Sequence, residues 1–193
     1  VAAEYQTILD LLADQPIERL VDHPQATDDH FLLLLRAMAN LDAASFYFSP
    51  NLYSMRVYRM TSLSLRHGHT DDTIHAYSHF GYLLASNYDQ YQSGYAFTDL
   101  AIQLRERFGS ARYMGQVQYF HGLTAFWVRP LDVAIAIQRD NFHVLVDHGE
   151  IAYSSMCCTY LVSNILGTGN MLSEVEQETS QRLAFVRQVQ FHD

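Results

Sequence analysis

Residues 76–109 read "AYSHFGYLLASNYDQYQSGYAFTDLAIQLRERFG", and residues 116–149 read "QVQYFHGLTAFWVRPLDVAIAIQRDNFHVLVDHG". Laid over one another without a gap, the two stretches match in character. Phe80 falls on Phe120, Leu83 on Leu123, Phe97 on Ile137 and Gly109 on Gly149. The small residues Gly94 and Ala134 coincide, where the two helices of a pair would cross closely. In the first stretch Tyr77, Gly81, Leu84 and Tyr88 continue from Ile74 in steps of three and four, the helical spacing. Gly94, Phe97, Ala101, Leu104 and Phe108 repeat that pattern. Each stretch is therefore a helix, a short turn and a second helix.

Working outward, the breakers fall where helices end. Gly68, Gly109 and Gly149 lie 41 and 40 residues apart and sit like glycines just past a helix C-terminus. Thr70 and Ser110 are placed to cap the helices that follow, and Ser49-Pro50 gives an N-cap with proline in the first turn. Ser173 with Glu176 has capping-box spacing. These signals predict helices near 27–48, 50–67, 71–88, 91–108, 111–128, 131–148, 151–167 and 172–190, after a partial helix near 3–13. Strand-like alternation is not sustained anywhere. A two-helix unit repeating every 40 residues or so cannot bury its apolar face alone and must stack. The expected fold is all-α: a TPR-like superhelix, a solenoid of antiparallel helix hairpins making one helical-repeat domain over 1–193.

The net charge of −9, with 12 Lys and Arg against 21 Asp and Glu, argues against a nucleic-acid backbone as partner. No apolar run approaches the roughly 20 residues needed to span a bilayer. The adjacent Cys157 and Cys158 suit a reducing compartment and no disulfide framework, so a cytoplasmic setting is expected. The start "VAAEYQ" reads as a piece of a longer protein.

His75 and His79, four apart, are weak candidates for a metal pair. His67, His69, Asp71, Asp72 and His121 are the available further ligands, but the pair flanks the stripe of Ile74, Tyr77 and Gly81, so packing is the preferred reading. "RHGHTDD" (66–72) is accounted for by capping and by acids at a helix start. His79, Tyr82, Tyr119 and His121 are candidates to line a partner-binding groove on the inner helices of a solenoid. Cys157 and Cys158 have no basic neighbour in sequence and read as buried packing residues. No Walker A loop, HExxH, paired CxxC or GxSxG occurs, and no enzyme is expected.

In order along the chain, "SLRHG", "AYSHFGYLL", "YQSGYAF", "W..PL" and "LSEVEQE...LAFVRQ" resemble a helical-repeat region of large multidomain signalling kinases, over roughly 45–190. Those proteins carry a serine/threonine-kinase-like domain, an AAA/NACHT-type ATPase module, TPR-like helices, and usually a GAF domain and a sensor histidine kinase of two-component type. The resemblance implies a non-catalytic scaffold between ATPase and sensor modules, with the family's ATP-binding and catalytic residues outside this chain. It implies no cofactor of its own, and as partners other proteins or neighbouring domains. The alternative is a helical sensor that binds a small molecule or metal through the histidines and aromatics around 67–82 and 121.

Overall fold

Local signals place most helix ends. The computed structural model describes residues 1–13 and 15–191 and holds ten α-helices and one short 3-10 helix. Among the described residues there is no strand, only an isolated bridge between Gln25 and His69, so the chain is all-α. It divides into two compact units, Val1–Tyr113 and Met114–Asp193.

In the first unit α4 (Pro50–His67), α5 (Asp71–Tyr88) and α6 (Tyr91–Phe108) are the long elements. Pro50 occupies the first turn of α4, as expected, although the Ser49 hydroxyl makes no capping bond. Thr70 does cap α5: its Oγ1 accepts from Thr73 N at 3.2 Å, and the Thr73 hydroxyl accepts from Thr70 N at 3.0 Å. α5 and α6 are antiparallel. Gly81 meets Gly94 and Thr98, while Ala85, later in α5, meets Gly94, earlier in α6. A Cβ on Gly81 would stand 2.5 Å from the Gly94 carbonyl oxygen, so the backbones touch directly. Around that crossing Tyr77, Phe80 and Phe97 pack edge to face, all fully buried.

The junction from α4 to α5 is tied to an earlier segment. His69 N donates to Pro24 O and Ala26 N donates to His69 O, both at 2.9 Å. Gly68 turns here with φ of +97°, and a Cβ on it would meet Pro24 O at 2.5 Å. α1 (Ala2–Leu12) lies on α4 through Tyr5 and Tyr58 and through Glu4, which accepts from Ser62 and Arg59. The 3-10 helix Ile17–Asp22 was not among the expected elements and packs on α6.

The helix expected over 27–48 is two. α2 (Asp29–Asn40) and α3 (Asp42–Phe48) are bent by 46° at Leu41. α2 buries Phe31, Leu35 and Ala39 against Met60 and Ala76. Past the bend Asp42 and Ser45 turn inward and Phe46, Tyr47 and Phe48 turn out, so the inward face changes character. The apolar spacing runs through both helices and hides the break.

The second unit holds α7 (Met114–Val128), α8 (Leu131–Asp147), α9 (Ile151–Gly167) and α10 (Leu172–Gln188). α7 starts three residues later than expected because Tyr113 is left-handed, with φ of +58°, and Ser110 Oγ accepts from Arg112 N in the turn before it. α7 and α8 are antiparallel: Asn141 Nδ2 donates to Gly115 O at 2.9 Å and Gln138 Nε2 to Tyr119 O at 3.1 Å. Ser173 lies inside α10, whose N-cap is Met171, so the expected capping box is not the start of that helix. Among the described residues no single helix is long and apolar enough to cross a membrane. α2 and α3 reach that hydropathy only as a bent pair.

Gly81→Ala is expected to lower stability by roughly 2–4 kcal/mol, because neither backbone can retreat from the added methyl. Gly109→Ala, where φ is +61° and the Cβ position is open, should lose only about 1 kcal/mol. Urea unfolding of both variants measures the contrast.

Candidate functional site

α5 carries a polar stripe at helical spacing, Asp72, His75 and His79, all buried. A buried charge must be matched by partners, and each end of the stripe is matched differently. At the start of α5, Asp72 accepts from Arg36 Nε at 3.0 and 2.9 Å and from the Tyr113 hydroxyl at 2.7 Å, with Arg112 at 3.7 Å. One carboxylate thus joins α2, α5 and the segment after α6. Its charge, after burial, drives the Tyr113 phenol well above its ordinary range.

One turn on stands Arg56 of α4, only 5% exposed. Its Nη2 pairs with Asp42 Oδ1, Nε donates to Ser45 Oγ at 2.9 Å, and Nη1 donates to Met38 O at 3.4 Å. Nη1 also donates to His75 Nε2 at 3.3 Å. A guanidinium has no acceptor, so His75 receives this bond and carries its own proton on Nδ1. The His75 and His79 ring centres are 4.0 Å apart. His79 Nδ1 shares a 2.7 Å hydrogen bond with the Tyr53 hydroxyl. Burial, and then the Arg56 charge, holds the pKa of His79 well below its ordinary value, so it is neutral.

The third member of a metal set is therefore Asp42, not His67, His69, Asp71, Asp72 or His121. Asp42 Oδ1 is 3.7 Å from His75 Nε2 and 3.6 Å from His79 Nδ1, and all three donor atoms lie within 4.8 Å of one another. Three ligands about a zinc ion at ~2.1 Å would stand about 3.4 Å apart, so the spacing is close to a metal site. The guanidinium of Arg56, however, already contacts both Asp42 and His75. The cation at this point is the protein's own.

The four expected groove residues are not on open surface. His79, Tyr119 and His121 are buried and Tyr82 is half-buried. In the first unit α3 and α4 cover His79. In the second, Tyr119 packs edge to face with Phe120, Tyr153 and Tyr160. Cys157 and Cys158 are buried thiols pushed up to about 12 and about 11 by burial, which makes them poor nucleophiles. His69, fully buried, bonds the Tyr77 hydroxyl at 3.2 Å and faces the His23 ring. Burial, with His23 and Arg107 nearby, lowers its pKa to about 4.

No protein-family model matches this chain, and no curated protein or solved structure does so either.

Removing the resident cation should convert the triad into a metal site: Arg56→Met is expected to bind one Zn²⁺ or Co²⁺, lost again on His75→Ala. Stoichiometric metal already bound to the wild-type chain, and lost in both His75→Ala and His79→Ala, would instead establish the metal-sensor alternative.

His69 and His79 also set a pH dependence. Both have folded pKa values below the unfolded value of about 6.5, so unfolding takes up protons as the pH falls. Their contribution is complete above pH 6.5 and is lost progressively as the pH falls, for His69 towards about 4. Between pH 6.5 and 5 the unfolding free energy is expected to fall by up to ~1.4 kcal/mol per pH unit for each histidine. Urea midpoints across that range test this, and His69→Gln should flatten the slope.

Proposed function

We propose that the chain is a non-catalytic helical-repeat scaffold built of TPR-like helix hairpins. The observation that carries this is the repeated hairpin. α5 and α6, at Asp71–Tyr88 and Tyr91–Phe108, recur 40 residues later as α7 and α8, at Met114–Val128 and Leu131–Asp147. Each pair turns through two residues, and Gly109 and Gly149 both adopt positive φ after the second helix. Such hairpins offer extended surfaces for protein contact, with no need for a reactive group. The site chemistry fits. The buried thiols are raised, His79 is held neutral, and the carboxylates at the polar stripe are tied to arginines. These are arrangements that hold helices together.

The resemblance to the helical region of multidomain kinases gives the scaffold a place. It would couple a sensor to an ATPase or kinase, in the cytoplasm, through contacts with neighbouring domains. Large apolar side chains exposed on both units, among them Phe48, Leu166, Met171 and Leu172, are available for such contacts. Deleting this segment from the full reading frame is expected to uncouple signal from output, changing kinase or ATPase activity in the unstimulated state. A parent protein whose regulation is unchanged by the deletion would refute the coupling role.

A further inference from the structure

α3 is put together the wrong way round for a helix held by apolar packing. Of its seven residues only Ser45 is buried. Phe46, Tyr47 and Phe48 are 47, 62 and 82% exposed, although Phe46 touches the edge of the Tyr53 ring. A helix of seven residues has no stability of its own in water. What fastens this one is polar: Asp42 and Ser45, both seated on Arg56.

The receiving side belongs to other elements. Tyr53 and Arg56 come from α4, His75 and His79 from α5, and all four are at most 5% exposed. They surround a single oxygen, Asp42 Oδ1, with the guanidinium in contact and both imidazole nitrogens within 3.7 Å. The Tyr53 hydroxyl orients the nearer imidazole. Asp42 itself is the most exposed member, at 20%. A fixed, buried guanidinium is the recognition chemistry of a carboxylate. The guanidinium and the side chains around it stand on two long helices, and the carboxylate arrives on a short one with a single buried residue.

We propose that Tyr53, Arg56, His75 and His79 form a carboxylate-binding site that Asp42 fills from within the chain, and that an acidic segment of a partner protein takes its place when α3 lifts. The resident segment outlines the ligand. It has an Asp, a hydroxyl three residues later for Arg56 Nε, and aromatic residues immediately after. The partner in this inference rests on the interaction role proposed above. The carboxylate site does not. Exchange of one carboxylate for another leaves the buried charge of Arg56 matched throughout, which simple removal of α3 would not. Lifting α3 also turns Phe46, Tyr47 and Phe48 away from the site, so one movement changes two surfaces.

The test begins with Asp42→Gly, which empties the site. Its thermal midpoint is expected to fall, and 100 mM formate or acetate should restore about half of the loss relative to chloride at equal ionic strength. The double variant Asp42→Gly, Arg56→Met should not respond, nor should wild type. A labelled peptide copying residues 41–49 should bind Asp42→Gly at least about tenfold more tightly than the same peptide with Asn for Asp, a difference of ~1.4 kcal/mol. Wild type should bind it less tightly than the variant, since Asp42 competes. Formate rescue with no preference for the acidic peptide would leave a small-anion site and overturn the partner segment. Absence of both effects would overturn the site.

Hydrogen exchange on the wild-type chain keeps the question open to measurement even if Asp42→Gly does not fold. Amides of 42–48 should exchange at least about tenfold faster than those of 53–66 and 73–85, and faster still with excess peptide. Exchange of 42–48 only through global unfolding would show that α3 is fixed, and would remove the proposal.

Discussion

A guanidinium that is 5% exposed must be matched where it stands, and Arg56 governs the first unit for that reason. Leaving such a charge unmatched costs about 3–5 kcal/mol, comparable to the net stability of many small domains. Five groups meet it: Asp42, Ser45, Met38 O, Met60 Sδ and His75. Three of them come from α2 and α3. The bend at Leu41, the inward turn of Asp42 and Ser45, and the outward aromatics of α3 all follow from bringing those three groups to one side chain. The tautomer of His75 follows from it as well, and the Arg56 charge adds to the burial that keeps His79 neutral.

Asp72 poses the same constraint with the opposite sign one turn earlier on α5. Arg36 and Tyr113 satisfy it directly, with Arg112 nearby, so the two buried charges fasten α2 at one end and α3 at the other. The opposite face of α5 is built on a different principle. Gly81 lets α6 approach to backbone contact, and Tyr77, Phe80 and Phe97 fill the flanks. His75 and His79 belong to the polar face with Asp72. Their four-residue spacing reflects a helical face turned toward Arg56 and Asp42, and toward a cation that the chain supplies itself.

What the sequence made legible is what local chemistry decides. Pro50, Thr70, Gly109 and Gly149 mark helix ends because capping and positive φ involve neighbours only a few residues away. Gly81 and Gly94 could be read as a close crossing because two facing glycines at helical spacing have few other uses. The partner of the histidines was not legible, because Asp42 reaches them from a separate helix and falls inside the single helix expected over 27–48. A usable signal was present at Arg56. It lies three residues after Tyr53 and four before Met60, on a stripe that is otherwise core, and a charge in that position calls for a buried counter-charge. The bend at Leu41 gave no such signal, since "FLLLLRAMANL" keeps its apolar spacing up to the break.

The two hairpins show how loosely a 40-residue period constrains the chemistry inside it. α5 and α6 meet glycine on glycine, whereas Gly122 of α7 meets the side chain of Gln138, which donates to Tyr119 O, and Cys157 donates back to Gln138. Helix length and the two-residue turns are common to both, and the crossing is solved once with small residues and once with a hydrogen-bonded amide. A polar stripe such as Asp72, His75 and His79 is not needed for the hairpin to stand, since apolar residues of similar volume often serve stability equally well. What buried charges add is discrimination: an apolar face accepts many partners, whereas Arg56 accepts an anion in one geometry. A helix held to its neighbours by that kind of contact is selective for an anionic occupant, which is the property the proposed coupling role requires.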